Sequence, residues 1–241
     1  MSHQQNQAAI LDGVGKTLRV GRIETKKPGP GEILVRPAAV AINTVDVNEQ
    51  NYGVFYQSWP AVLGGDVAGE VVEVGEGVAA PISVGSGVVL LTHHAQYKTT
   101  EYGGFQELVI SPESLVFPLP EGLSYQNAVV LPLALATSAT GFFQSGSSLS
   151  LGISGLKQKP PKKNGKTVLM WGGSSSVGSQ AIQLAVASGY DIIFIASPRN
   201  FGLVRELGAR AFFDYNSPNI NKIVDEIHTD GKFTGVFDGE S

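Results

Sequence analysis

The apolar residues change their pattern partway along the chain. Up to about residue 130 they come in short runs closed by glycine-rich turns. Glu32-Ile33-Leu34-Val35-Arg36 follows the dense turn signal Lys27-Pro28-Gly29-Pro30-Gly31. Val67 to Val74 is a β-rich stretch closed by Gly75-Glu76-Gly77, and Val84-Gly85-Ser86-Gly87 leads into Val88-Val89-Leu90-Leu91. A further strand is expected from Phe105 to Ile110. Short strands between glycine turns predict a barrel-like β domain over residues 1–130.

The second part, residues 131–241, reads differently. Ser124 precedes the helix-forming run Tyr125-Gln126-Asn127-Ala128, and Leu131 to Phe143 is rich in Ala and Leu and predicts a helix. Ser145 to Lys163 is Gly/Ser-rich and then basic, so an exposed loop is expected. Lys157, Lys159, Lys162 and Lys163 fit a solvated loop better than a binding patch. From Lys166 strands and helices alternate. Strands are expected at Thr167–Trp171, Asp191–Ala196, Ala211–Asp214 and Thr234–Asp238, with helices at Ser176–Ser188, Asn200–Leu207 and Ile220–His228. Val177, Ala181, Leu184, Ala185 and Ser188 share one helical face. This alternation predicts an α/β fold whose second part is a doubly wound parallel sheet.

Composition narrows the classes. Charged residues make up 16% of 241, and 30 glycines are well above the ~7% of average chains, which describes a compact, turn-rich fold. The net charge is −4 with no block of five like charges, against a nucleic-acid footprint. The chain has no Cys, which removes disulfides and thiolate metal sites. No apolar run approaches the ~18 residues of a membrane span, and the first residues lack a basic and then apolar leader. A soluble cytoplasmic protein is expected.

Gly172-Gly173-Ser174-Ser175-Ser176-Val177-Gly178 lies between the first strand of the alternating part and its helix. In that place backbone N–H groups and a helix N-terminus face an anion, so the segment is a candidate cradle for a dinucleotide diphosphate. Ser175 replaces the central glycine of the G-x-G-x-x-G pattern; it is small enough for close approach, and its hydroxyl is expected to add a donor. Gly178 is expected to allow tight helix packing. No Gly-Lys-Ser/Thr follows, which excludes a P-loop, and Ser176 breaks the G-x-S-x-G elbow.

The second strand of this part ends in Ser197-Pro198-Arg199-Asn200. An NAD site has a carboxylate at this end for the ribose 2′-hydroxyl. Asp191 lies at the opposite end, ~20 Å away at strand rise. A hydroxyl and a guanidinium suit a 2′-phosphate instead, so NADPH is the expected coenzyme.

Several ordered segments carry a family resemblance: Ala41-Ile42-Asn43-Thr44-Val45-Asp46, Leu63 to Gly69, Gly104-Phe105-Gln106-Glu107, Leu133 to Ala139, Trp171 to Ala185, Ala196 to Phe201, Leu207-Gly208-Ala209 and Asp214-Tyr215. Together they resemble the medium-chain dehydrogenase/reductase superfamily, in particular fungal members labelled zinc-binding oxidoreductases and trans-acting enoyl reductases. The resemblance implies a GroES-like catalytic domain followed by a Rossmann domain, with the active site between them. In zinc-dependent relatives a Cys stands at the position of Asn43 and a His at that of Gly65, so this chain is expected to hold no metal. The adjacent His93 and His94 would point to opposite faces of a strand and make no site.

Without a Lewis acid, the implied reaction is reduction of an activated C=C, in an enoyl, enone or quinone substrate, free or carrier-bound. By analogy Asn43, Asp46, Asn48 and Thr137 would lie near the nicotinamide, with Tyr52, Tyr56 or solvent as proton donor. Asp46 has an alternative role as a helix cap, and Thr137 as a packing residue. Tyr215 matches a family position near the 2′-phosphate, with buried packing the alternative. Relatives of this kind run longer, so the resemblance implies C-terminal truncation and an incomplete Rossmann sheet whose exposed edge would favour pairing between copies. The alternative function is a catalytically impaired cofactor-binding or interaction protein.

Overall fold

The computed structural model describes residues 5–55, 58–79, 81–92, 100–144, 149, 162–229 and 232–239. Two compact units result, Met1–Leu133 and Ala134–Ser241. Among the described residues no helix is long and apolar enough to cross a membrane.

The first unit is built of two antiparallel sheets. One has three strands in the order β2-β1-β4: β1 (Gln5–Leu11), β2 (Arg19–Glu24) and β4 (Ala61–Val62). The other has five, in the order β7-β3-β5-β6-β8. These are β3 (Glu32–Ala41), β5 (Asp66–Val74), β6 (Gly87–Leu91), β7 (Val109–Pro112) and β8 (Val116–Pro118). Ile33, Val35, Val67, Val71, Val88, Leu90 and Val109 form the core of the larger sheet. Each such side chain contributes roughly 1.5–3 kcal/mol on full burial. Pro37 lacks an N–H, and the β3–β5 register shifts beside it. Gly69 faces that irregularity, and a Cβ there would come within 2.1 Å of the Arg36 carbonyl oxygen. Two helices complete the unit's elements, α1 (Thr44–Tyr52) and α2 (Tyr125–Ala128). Ser124 caps α2 as expected, its hydroxyl accepting from the Asn127 amide at 3.3 Å.

One expectation changes here, and β1 and β2 had no counterpart among the expected strands. The strand expected at Phe105–Ile110 starts only at Val109. Gln106 forms a single bridge with Ala8, while its side-chain amide binds the carbonyls of Thr100 and Gly103. Those bonds fold the segment into a turn. β1 and β2, in turn, had no clear apolar alternation. The inward positions of β1 include Asn6, buried and bonded to the Gln106 side chain and the Leu108 carbonyl.

In the second unit β9 (Thr167–Trp171), β10 (Asp191–Ala196), β11 (Ala211–Asp214) and β12 (Phe233–Asp238) form a parallel sheet in the order β11-β10-β9-β12. The helices are α3 (Pro132–Phe143), which crosses the boundary between the units, α4 (Ser176–Ala187), α5 (Phe201–Glu206) and α6 (Ile220–Thr229). Alternate strand residues serve opposite faces. Val168, Met170, Ile192 and Phe194 pack with Phe142, Ala181, Ile182, Ala185 and Val204. Leu169, Ile193 and Ile195 pack with Ile220, Ile223, Val224 and Ile227. This is the doubly wound arrangement the alternation predicts. The buried stripe of α4 includes Ile182 beside Ala181 and Ala185, while Val177 and Leu184 are only partly covered.

Most of the expected loop from Ser145 to Lys163, including Lys157 and Lys159, lies outside the described residues. Leu149 within it is buried in the core rather than exposed. Lys163 pairs with Asp191 at 2.7 Å.

Candidate functional site

The order of the parallel sheet reverses around β9: β10 and β11 lie to one side and β12 to the other. Ligands of such sheets sit beyond the carboxyl ends of the strands at this reversal, and the Gly172–Gly178 loop follows β9 there. Gly172 has φ 71°, a left-handed turn. A Cβ on Gly173 would lie 2.1 Å from the Phe194 ring, and one on Gly178 would lie 1.9 Å from the Gly173 Cα. Glycine at 178 therefore lets α4 start directly against the loop, the packing role expected of it.

Ser175 departs from expectation. Its hydroxyl caps α4 by accepting from the Gly178 amide at 3.0 Å and donates to the Gly239 carbonyl at 2.9 Å. Its amide is bonded to the Gly172 carbonyl at 3.2 Å. Ser175 thus shapes the cradle and has no donor left for a ligand. The amides of Ser174, Ser176 and Val177 have no hydrogen-bond partner among the described residues. They stand at the start of α4, where the helix dipole also favours negative charge.

A cavity of about 380 Å³ opens beside the loop, its lining including Gly172, Ser174, Ser197, Arg199, Asn200 and Tyr215. It joins the ends of β9, β10 and β11, so the two sequence motifs singled out separately share one space. Among the described residues no carboxylate lines it. Asp191 is held at the far end of β10 by Lys163 and by Arg210 at 3.4 Å. Asp214, at the end of β11, accepts from the Asn216 amide at 2.9 Å. Arg199 is exposed, and its guanidinium makes no hydrogen bond or ion pair among the described residues. Tyr215 is 46% exposed, which excludes the buried packing role. Unpaired amides, a free guanidinium and a glycine cradle with no room for side chains suit a ligand carrying more than one phosphate.

The polar residues of the first unit are arranged in the opposite way. Asp46 is buried at the start of α1, accepting from the Asn43 amide at 2.8 Å and the Gly64 amide at 3.1 Å. It fills the helix-capping role, the alternative to catalysis. Burial raises its pKa, and those two amides oppose the shift. Asn43 directs its side-chain amide to Asp66 at 2.9 Å, and the Leu133 amide donates to the other Asp66 oxygen at 2.7 Å. Burial pushes Asp66 up to about 6 against those bonds, with the nearby Asp46 charge adding to the rise. Asp66 was not among the candidates from sequence. Its signal was a lone acid opening the apolar run Val67–Val74 straight after Gly64-Gly65.

A Cβ at Gly65 would come within 2.9 Å of the Leu133 side chain. Among the described residues no group of three or more His, Cys, Asp or Glu is placed to hold a metal ion. His93 and His94 lie outside the described residues. Tyr52 is 73% exposed at the end of α1, Asn48 is exposed on the same helix, and Thr137 is exposed on α3, which rules out packing as its role. Tyr56 lies outside the described residues.

Comparison with known proteins gives a consistent result. Residues 29–121 match the alcohol dehydrogenase GroES-like domain. The dehydrogenase azaJ of Aspergillus niger is 44% identical over 218 residues, which cover 89% of this chain and 62% of that protein. The trans-enoyl reductase tazE of Aspergillus terreus is 37% identical over 234 residues, covering 95% of this chain and 75% of the relative. A mycobacterial protein solved in complex with NADPH matches with a TM-score of 0.69 at 25% identity, over 92% of this chain and 62% of that one. The chain thus spans less than two thirds of the length of azaJ. With identity of this level over three quarters of a relative, and with an antiparallel β unit followed by a parallel doubly wound one, the chain belongs to the medium-chain dehydrogenase/reductase superfamily.

Proposed function

We propose that the chain serves an NADPH-dependent, zinc-independent reduction of a carbon–carbon double bond conjugated to a carbonyl. One observation carries the coenzyme choice: among the described residues, the cavity at the ends of β9, β10 and β11 offers an unpaired guanidinium and hydroxyls, with no carboxylate in its lining. The amides of Ser174, Ser176 and Val177 would hold the diphosphate, and Ser197 and Arg199 the 2′-phosphate, with Tyr215 beside it. When bound, the coenzyme supplies hydride to the carbon β to the carbonyl.

The donor chemistry of the first unit supports a reaction without zinc. Asn43 engages its amide with Asp66, and Gly65 has no side chain to offer. Tyr52 keeps an exposed phenol that suits proton delivery to the α carbon, with solvent the other source. The relative named trans-enoyl reductase supports the substrate class. The test follows NADPH absorbance with a set of enones, quinones and enoyl thioesters. Substrate-dependent oxidation of NADPH, much slower with NADH, is the expected result. A folded chain that oxidises NADPH with none of them rejects the reductase reading.

A further inference from the structure

We infer that Asn200 is a positioning residue that sets the direction of two hydroxyl protons in the cavity and so favours a phosphate over a hydroxyl on the coenzyme's adenosine ribose. The inference rests on the coenzyme reading above and adds what that reading does not contain, a group that acts through Ser174 and Ser197.

Asn200 stands in the turn after β10, and its side-chain nitrogen reaches two different loops. It donates to the Ser174 hydroxyl at 2.8 Å and to the Ser197 hydroxyl at 3.2 Å. A serine hydroxyl has one proton and two lone pairs. Where an amide N–H already occupies a lone pair, the hydroxyl proton must turn elsewhere. Neither hydroxyl has another partner among the described residues. Both residues line the cavity together with Arg199. Two hydroxyl protons and a guanidinium with no partner among the described residues therefore address the same space, a set in which donors outnumber the one lone pair left on each hydroxyl. A phosphate can accept from all of them, whereas a ribose hydroxyl can accept from few. The amide also ties the loop after β9 to the turn after β10, so the donors are set before a ligand arrives, which lowers the ordering cost of binding.

Orientation is the essential point. If the carboxamide presented its oxygen to the serines, it would take both protons and leave lone pairs facing the ligand. Asn200→Asp imposes that state with an isosteric group and adds a negative charge. Asn200→Ala removes the orienting bonds and keeps the hydroxyls.

Affinities for NADPH and NADH are measured by coenzyme fluorescence on the whole chain, with thermal unfolding as a check on each variant. Asn200→Asp is expected to weaken NADPH by about 100-fold and Asn200→Ala by about 10-fold, the scale of one or two hydrogen bonds to a charged group, with NADH changed much less. In a Ser174→Ala/Ser197→Ala background, adding Asn200→Ala should cost nothing further, because its route of action is gone. An unchanged NADPH-to-NADH ratio in Asn200→Asp overturns the inference. So does a full Asn200→Ala penalty in the double-serine background, which is also the decisive arm should the Asp variant unfold. A wild-type chain that binds neither coenzyme overturns the coenzyme reading itself, and the inference with it.

Discussion

The Gly172–Gly178 loop and the Asn43–Asp66 cluster both collect polar groups next to glycines at the end of an apolar strand or at its start. They differ in what those groups still have to offer. In the second unit the amides of Ser174, Ser176 and Val177, two serine protons and the Arg199 guanidinium lack acceptors among the described residues. In the first unit both oxygens of Asp46 and both of Asp66 already accept from protein donors. Residue type alone makes the two equally attractive as sites. Remaining hydrogen-bonding capacity separates a ligand cradle from a structural brace.

The largest effect should come from the cradle's backbone. Gly178→Ala places a Cβ against the Gly173 backbone, which cannot move aside like a side chain. We expect a loss of ~3 kcal/mol or more in denaturant unfolding, together with the loss of coenzyme binding.

The brace can be tested through pH. An unfolded Asp66 titrates near 3.8 and the folded one near 6, so the folded chain holds the extra proton between those values. Its contribution to stability is therefore full below pH 4 and lost as pH rises through 6. The total is about 3 kcal/mol for a shift of this size. Asp66→Asn removes that titration, so the stability of the wild type minus that of the variant should fall by about this amount from pH 4 to pH 7 in paired urea melts. A difference independent of pH would mean that Asp66 is not held in the way its burial indicates.

Arg199→Ala sharpens the contrast from the other side. An unpaired, exposed guanidinium is expected to contribute little to folding, so the unfolding midpoint should stay put. NADPH affinity should drop by ~10- to 100-fold while NADH is little affected, a charged hydrogen bond's worth of ~1.5–3 kcal/mol. Equal losses for both coenzymes would remove Arg199 from the 2′-phosphate. The smallest effect belongs to Ser175→Ala. Loss of the cap should cost about 1 kcal/mol in stability and leave the NADPH-to-NADH ratio as it was. A changed ratio with unchanged stability would restore Ser175 as a ligand.

Much of this was legible in the sequence where the chain follows simple periodicities. The β9–β12 alternation, the Gly-rich turn and the Ser197–Asn200 end of β10 all depend on local patterns, and the structure places them as expected. The first unit was harder to read. β1 conceals its alternation because Asn6 points inward, satisfied by partners a hundred residues away. The segment at Phe105 has strand-forming residues, yet Gln106 holds it as a turn through its side-chain bonds to the Thr100 and Gly103 carbonyls and its bridge to the distant Ala8. The role of Ser175 depended on the Gly239 carbonyl, again a distant partner. Asp66 was passed over for a related reason: its environment comes from Asn43 and Leu133, far from it in sequence. Pattern predicts elements well, but the satisfaction of polar groups is settled by tertiary contacts.

The proposed recognition of an adenosine 2′-phosphate by the cavity beside Arg199 can be tested without substrate or nicotinamide. Calorimetric titration of the chain with 2′,5′-ADP and with 5′-ADP isolates that phosphate. The arrangement of Ser174, Ser197 and Arg199 predicts that 2′,5′-ADP binds at least about 10-fold more tightly. Equal affinities, or a preference for 5′-ADP, would contradict it.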